Sequence, residues 1–250
     1  MNDTATINAL LTELRTTTNA IAGKEWVSGG LADEQPRYDA DQKPLQALDS
    51  AGIGFLTPMI SFLEEPLNQL RGNPDGVRQG SGEFTKAGES TANLAEDYRE
   101  QAKTGTSGWT GAAAQDYAKT AQELADGVQS VAETALTSAE AMIKAGEVVA
   151  QAVAAVTTII GEALGQIVPI MTQAVAAAPA TFGQSIAIAI PQCVQIAVDA
   201  GVRIAGKLAE LLASGENLIK LVEGALAVLE VVKKALSVIG DKARQQEVAA

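Results

Sequence analysis

The sequence predicts an all-α fold, an elongated helical bundle built on a helix-turn-helix hairpin, and three observations carry that prediction. Aromatic residues are only 4% of the 250 and alanine dominates, a composition that favours helix over strand almost throughout. Val77, Ser81, Phe84, Gly88, Thr91, Ala95, Tyr98 and Ala102 recur in alternating steps of four and three, and Tyr117, Ala121, Leu124, Val128, Val131 and Ala135 keep the same steps. That spacing puts one apolar or small-residue stripe on each helix, and two such stripes bury each other in an antiparallel hairpin. Between them lies a short polar stretch in which Gly105, Gly108 and Gly111 let the chain reverse, with Trp109 expected as an apolar wedge.

The chain divides into three consecutive segments: 1–72, N-terminal helices and a linker; 73–140, the hairpin; and 141–250, an Ala/Val/Ile-rich apolar region with a closing amphipathic helix. A first helix from about Thr4 to Ile21 places Ile7, Leu10, Leu11, Leu14 and Ile21 on one face, with Asp3 or Thr4 as cap, and Gly23 and Gly29-Gly30 end it. Ala32 to Lys43, with Asp33, Glu34, Arg37, Asp39, Asp41, Pro36 and Pro44 in or beside it, reads as an exposed linker. Trp26 and Tyr38 are expected to dock back as anchors. Leu45 to Arg71 is helical but broken by Gly52, Gly54, Pro58 and Pro66, with Phe55, Leu56, Met59, Ile60, Leu63, Leu67 and Leu70 as its apolar face. Asn73 followed by Pro74 starts the first hairpin helix.

Beyond Gly127 the second hairpin helix continues and loses polarity through Val148, Val153, Val156 and Ile160. From Ala163 to Val198 there is no Asp, Glu, Lys or Arg. A membrane span needs about 20 apolar residues, so the run is long enough for one. Against a constitutive span stand Pro169, Pro179 and Pro191, expected to cut it into short pieces, five glutamines, and the lack of any Tyr or Trp beyond Tyr117. The expectation is a set of short central helices packed on all sides, in a bundle or an oligomer. Ser214-Gly215-Glu216-Asn217 reads as the start of the closing helix, whose stripe is Leu218, Leu221, Val222, Ala225, Leu229, Val232, Leu236 and Ile239. Gly240 would end it before a fraying tail.

Residues that carry chemistry are scarce. Histidine is absent, Cys193 is the single cysteine and lies in an apolar run, and no glycine-rich phosphate loop occurs. No enzyme activity, cofactor or metal is expected. A net charge of −12 speaks against nucleic acid and anionic membrane surfaces, which select basic patches.

The turn Ser107-Gly108-Trp109-Thr110-Gly111 between two helices, followed by Gly111-Ala112-Ala113-Ala114-Gln115-Asp116-Tyr117, resembles the WXG family of type VII secretion substrates and partners of actinobacteria and firmicutes. The upstream run Phe62-Leu63-Glu64-Glu65-Pro66-Leu67 with Gly72-Asn73-Pro74 is similar to a segment preceding that hairpin in actinobacterial members, and the similarity covers about Leu56 to Leu136. The resemblance implies a non-enzymatic substrate or adaptor that associates helix to helix with a helical partner or with itself, as a homo-oligomer. It further implies that Trp109, Gly111 and Tyr117 form the surface read by the secretion machinery. One departure stands out: the family's Tyr-x-x-x-Asp/Glu export signal is not matched, since Ala121 follows Tyr117 and Ala102 follows Tyr98 at that spacing. Either a partner carries the signal or the chain is a non-exported relative. Met1-Asn2-Asp3-Thr4 has no positive region and no apolar core follows before Glu13, so the expected route is independent of a signal peptide. The chain would be cytoplasmic before export, then secreted or envelope-associated. A second reading, not favoured, is a membrane-active or pore-forming effector whose uncharged half inserts, with Ile186, Ile188 and Ile190 as membrane or oligomer contacts. A plain structural scaffold is the third.

Overall fold

The structure is a computed structural model that describes residues 3–37 and 43–248, with side chains described for 9–10, 12–37, 43–234 and 237–238. It is all-α. The helices are α1 (Asp3–Ala22), α2 (Gln46–Ser50), α3 (Thr57–Ile60), α4 (Glu65–Leu70), α5 (Pro74–Gly105), α6 (Ala112–Thr181) and α7 (Gln184–Val248), with short 3₁₀ turns at Gly29–Asp33, Gly54–Leu56 and Ser61–Leu63. The chain forms two compact units that are discontinuous in sequence. One comprises Met1–Trp26, Pro74–Ala145 and Glu216–Ala250, the other Val27–Asn73 and Gly146–Gly215.

In the first unit α1, α5, the first half of α6 and the end of α7 pack together. Along α5 the buried positions are Ser81, Gly88 and Ala95, one every seven residues. Their spacing is that of the expected seam, but its large members Phe84 and Tyr98 lie exposed. Small residues occupy the line of closest approach because they let the backbones meet. At Gly88 an added Cβ would lie 2.7 Å from Leu136 Cγ and 3.1 Å from the Ala132 carbonyl oxygen. On α6 the fully buried stripe is Ala125, Ala132 and Ala139, while the expected Leu124, Val128, Val131 and Ala135 are half-buried beside it. Helix α1 fastens to α6 through the Thr18 and Thr137 hydroxyls, 2.6 Å apart, and through Arg15 to Glu133 at 3.2 Å. Leu14 of α1 is fully buried with Ala225, Val228 and Val232 of α7. Trp26 docks as expected: it is buried, and its indole N–H donates to the Ile21 carbonyl at 3.1 Å. Tyr38 lies outside the described residues, as do Asp39 and Asp41 of the linker.

In the second unit the uncharged run from Ala163 to Val198 is not packed on all sides as expected: it buries one face and exposes the other, with Val175, Phe182, Ile188 and Val198 outward, because its arms pack against the core on one side only. The part of α6 just before it is different. Ala150 to Val156 are buried at every consecutive position, so this part of α6 is enclosed on all sides, which its alanines permit. Leu45, Leu48, Ile53, Leu56, Ile60, Leu63 and Leu67 pack with Ile160, Ile167, Met171, Cys193 and Ile204 in one core. The breaks within 45–71 fall where the sequence puts them. Gly52 has φ +72, and Pro58 and Pro66 occupy the first turns of α3 and α4, where a missing amide donor costs nothing. Phe55 and Met59, expected on the apolar face, are exposed.

The linker is fastened more than its composition suggests. The buried Gln151 amide donates to the carbonyls of Ala32 (3.1 Å) and Glu34 (2.8 Å), and the Arg37 amide donates to Ala150 at 3.0 Å.

Three expected helix breaks are corrected. Pro169 and Pro179 lie inside α6 and Pro191 inside α7, and they do not divide the run into short helices. All three are on exposed positions, so the ring and the unpaired carbonyl stay out of the packed face that holds the helix together. The Ser214–Asn217 start is absent: α7 passes through it, with the Ser214 hydroxyl donating to the Glu210 carbonyl at 2.7 Å and accepting the Ser28 amide at 2.9 Å. Gly240 likewise does not end α7, which runs on to Val248. The side chains of Leu236 and Ile239 lie outside the described set.

Candidate functional site

The α5–α6 turn is built locally. Helix α5 ends at Gly105, the Thr106 hydroxyl donates to the Ala102 carbonyl at 2.6 Å, and the Trp109 amide donates back to the Thr106 carbonyl at 2.9 Å. Of the turn's three glycines only Gly111 has positive φ, +93, and its carbonyl accepts the Gln115 amide at 3.3 Å as α6 begins. Gly111 therefore sets the direction of the new helix; no heavy atom lies near enough to exclude a Cβ there, so backbone conformation alone selects glycine.

Trp109 is not a wedge. It is 57% exposed and lies on the ring of Tyr117, which is 48% exposed, with centroids 5.4 Å apart and planes at 53°. The turn spans only six residues and the first turns of α6 are themselves exposed, so the indole's apolar neighbour is the one ring a helical turn and a half ahead. Two of the three sequence-predicted recognition residues are thus in contact, and Gly111 is the turn residue between them. Farther along the hairpin, Arg99 bridges the helices: its guanidinium donates to Asp126 at 2.9 Å and to Glu96 at 3.1 Å. The hydrogen bond to Asp126 is the largest cause holding its pKa above the ordinary arginine value.

Ile186, Ile188 and Ile190 do not form one surface. Ile188 is 74% exposed, whereas Ile186 and Ile190 are half-buried against the core of the second unit, as residues two apart on a helix must diverge. Two features escaped the sequence reading. One is an apolar groove of about 450 Å³ in the first unit, lined by Phe84, Met142, Leu218, Ile219, Val222 and Leu226 among others. The other is Phe182, fully exposed between α6 and α7. A Phe-Gly pair following Pro179 inside an uncharged run was the available signal for that turn. Among the described residues no group of three or more Cys, Asp and Glu is placed to hold a metal ion. The chain matches no model of a known protein family, no curated protein and no solved structure.

Proposed function

We propose that this chain is a WXG-like protein of a type VII secretion system, a secreted substrate or adaptor that works without catalysis, by helix-to-helix association with a partner or with itself. The observation that carries the reading is the paired Trp109 and Tyr117 rings at the head of the α5–α6 hairpin, in contact yet both about half exposed. Two accessible aromatic rings in contact, one on a short hydrogen-bonded turn and one on the first turns of α6, give a partner a preformed apolar surface at little ordering cost. The step from that surface to secretion rests on likeness to the family's Trp-x-Gly hairpin, not on the fold. Because the Tyr-x-x-x-Asp/Glu spacing is unmet at Tyr98 and Tyr117, the partner supplies the export signal and the hairpin supplies the composite surface.

The test is export of the tagged chain from an actinobacterial host with an active type VII system. Trp109→Ala is expected to hold the protein in the cell while its helical circular dichroism and melting temperature stay unchanged, since the indole is mostly exposed. Export of the variant at the parental level would remove the recognition role of Trp109.

A further inference from the structure

We propose that the turn between α6 and α7 is a membrane-docking tip, in which Phe182 and its apolar flanks enter the boundary between headgroups and acyl chains of a zwitterionic bilayer. This goes beyond the secretion reading and does not depend on it.

Three observations converge on that turn. The first is Phe182 itself. Its side chain is 100% exposed, and it has φ +49 followed by Gly183 with φ +83. A reversal of two helices can be made with glycine or asparagine at the left-handed positions; a bulky residue there is disfavoured. Here the disfavoured conformation presents an aromatic ring to the outside.

The second is the absence of charge. From Ala163 to Val198 both arms carry no ionisable side chain except the buried Cys193; charge resumes with Asp199 on α7 and with Glu162 on α6, which pairs with Arg203 at 2.8 Å. Near the turn Val175 and Ile188 are exposed apolar residues.

The third is that the hydroxyls of the turn and several of its amides are satisfied internally. The Ser185 amide donates to the Thr181 hydroxyl oxygen at 3.2 Å, the Thr181 hydroxyl donates to Ser185 Oγ at 2.9 Å, and the Ser185 hydroxyl donates to the Ala174 carbonyl at 2.7 Å. The Gly183 amide closes on the Ala178 carbonyl at 3.0 Å. Such closure is common at helix ends in water as well, and it lowers the cost of bringing the tip against hydrocarbon, which penalises unpaired donors.

The depth follows from the helix rise. Met171 is fully buried in the core of the second unit, and the α6 arm beyond it is about 15 Å long, half of a hydrocarbon core of about 30 Å. The tip is too short to span, and the exposed Thr172 and Gln173 along the arm keep all but its end out of the hydrocarbon, so only the turn enters the boundary. Exposed Gln184 beside the turn keeps it at the interface. The lipid class follows from charge: the protein carries −12 and the tip offers no base, so acidic headgroups repel it. The occupant is therefore phosphatidylcholine-like, and binding is driven by apolar contact.

The experiment is co-flotation of the full chain with phosphatidylcholine vesicles, repeated with phosphatidylserine included. The parental chain is expected to float with phosphatidylcholine, and less so as phosphatidylserine is added at low salt. Phe182→Asp, which removes no buried contact, is expected to bind about tenfold to a hundredfold more weakly with unchanged helicity. A dye attached through Phe182→Cys, selective because Cys193 is buried, is expected to be quenched by lipids labelled at shallow depth. Failure of the parental chain to float, flotation unchanged by Phe182→Asp, or flotation that requires phosphatidylserine would each overturn the proposal. So would a lower light-scattering mass for Phe182→Asp without lipid, which would make the tip a contact between copies of the chain.

Discussion

Gly88 shows how tightly the hairpin depends on single atoms. Its missing Cβ leaves room for Leu136 and the Ala132 carbonyl, and the latter belongs to a helix backbone that cannot swing aside. Gly88→Val puts three carbons into that space and adds a β-branched residue to a helix interior. We expect a loss of about 1–3 kcal/mol, read as a lower urea midpoint with unchanged slope. A variant as stable as the parent would mean that α5 and α6 can separate at this level without cost. The seam's spacing was legible in the sequence because steps of four and three survive any choice of residue size. The order of burial within it was not. Ser81, Gly88 and Ala95 are buried because they are small, while Phe84 and Tyr98 in the same stripe are pushed outward by the closeness those residues create. Trp109 misled for a related reason: a large apolar ring suggests a wedge, but nothing near the turn is large enough to cover it. The pairing with Tyr117 depends on how far α6 turns after Gly111, which residue identity alone does not state.

At the scale of elements, the strap from Gly29 to Arg37 is where structure adds most to the reading. Its part from Ala32 onward belongs to the segment, Ala32 to Lys43, whose acidic, proline-bearing composition spelled an exposed linker, and most of the described side chains there do face solvent. Besides buried Leu31 and the Arg37 amide on the Ala150 carbonyl, what holds the strap is one buried glutamine on α6 giving both amide hydrogens to two strap carbonyls. Gln151→Leu keeps the volume and deletes both donors. Its expected cost is about 1–3 kcal/mol, borne by the strap. The sensitive readout is limited proteolysis by a glutamate-specific protease: cleavage after Glu34 is expected to quicken several-fold, and an unchanged rate would show that Leu31 burial and the Arg37–Ala150 hydrogen bond hold the strap without Gln151. The same contrast explains the missed helix ends. Pro169, Pro179, Pro191, Gly215 and Gly240 are strong local punctuation, and a local reading must stop at them. At Pro169 and Pro191 the helices continue because core residues flank each ring, Ile167 and Met171 at the first, Ala189 and Cys193 at the second, and tertiary burial outweighs the loss of one hydrogen bond; Pro179 lies only two residues before α6 ends at Thr181. Asn73-Pro74 and Gly52 were read correctly because no such packing opposes them.

Across the whole molecule, two quantities set its behaviour in solution: a net charge of −12 with an isoelectric point near 4.5, and a long α7 that leaves Ile188, Val202, Leu212 and Ile219 more than half exposed. The charge keeps copies apart, and the apolar positions draw them together once it is neutralised. As pH falls from 7 toward 4.5 the carboxylates take up protons, the net charge approaches zero and repulsion fades. The mass from light scattering is therefore expected to rise over that interval, in discrete steps if one helical face pairs with another. Added salt at pH 7 acts in the same direction by screening, with a Debye length of about 3 Å at 1 M against about 10 Å at 0.1 M. The two routes separate the causes. A rise on acidification without a rise in salt would assign association to particular protonated carboxylates. A rise by both routes assigns it to bulk charge over exposed apolar positions of α7. A constant mass under both conditions would show that the exposed positions of α7 do not bring copies together, and the helix association proposed for this chain would then require a different partner.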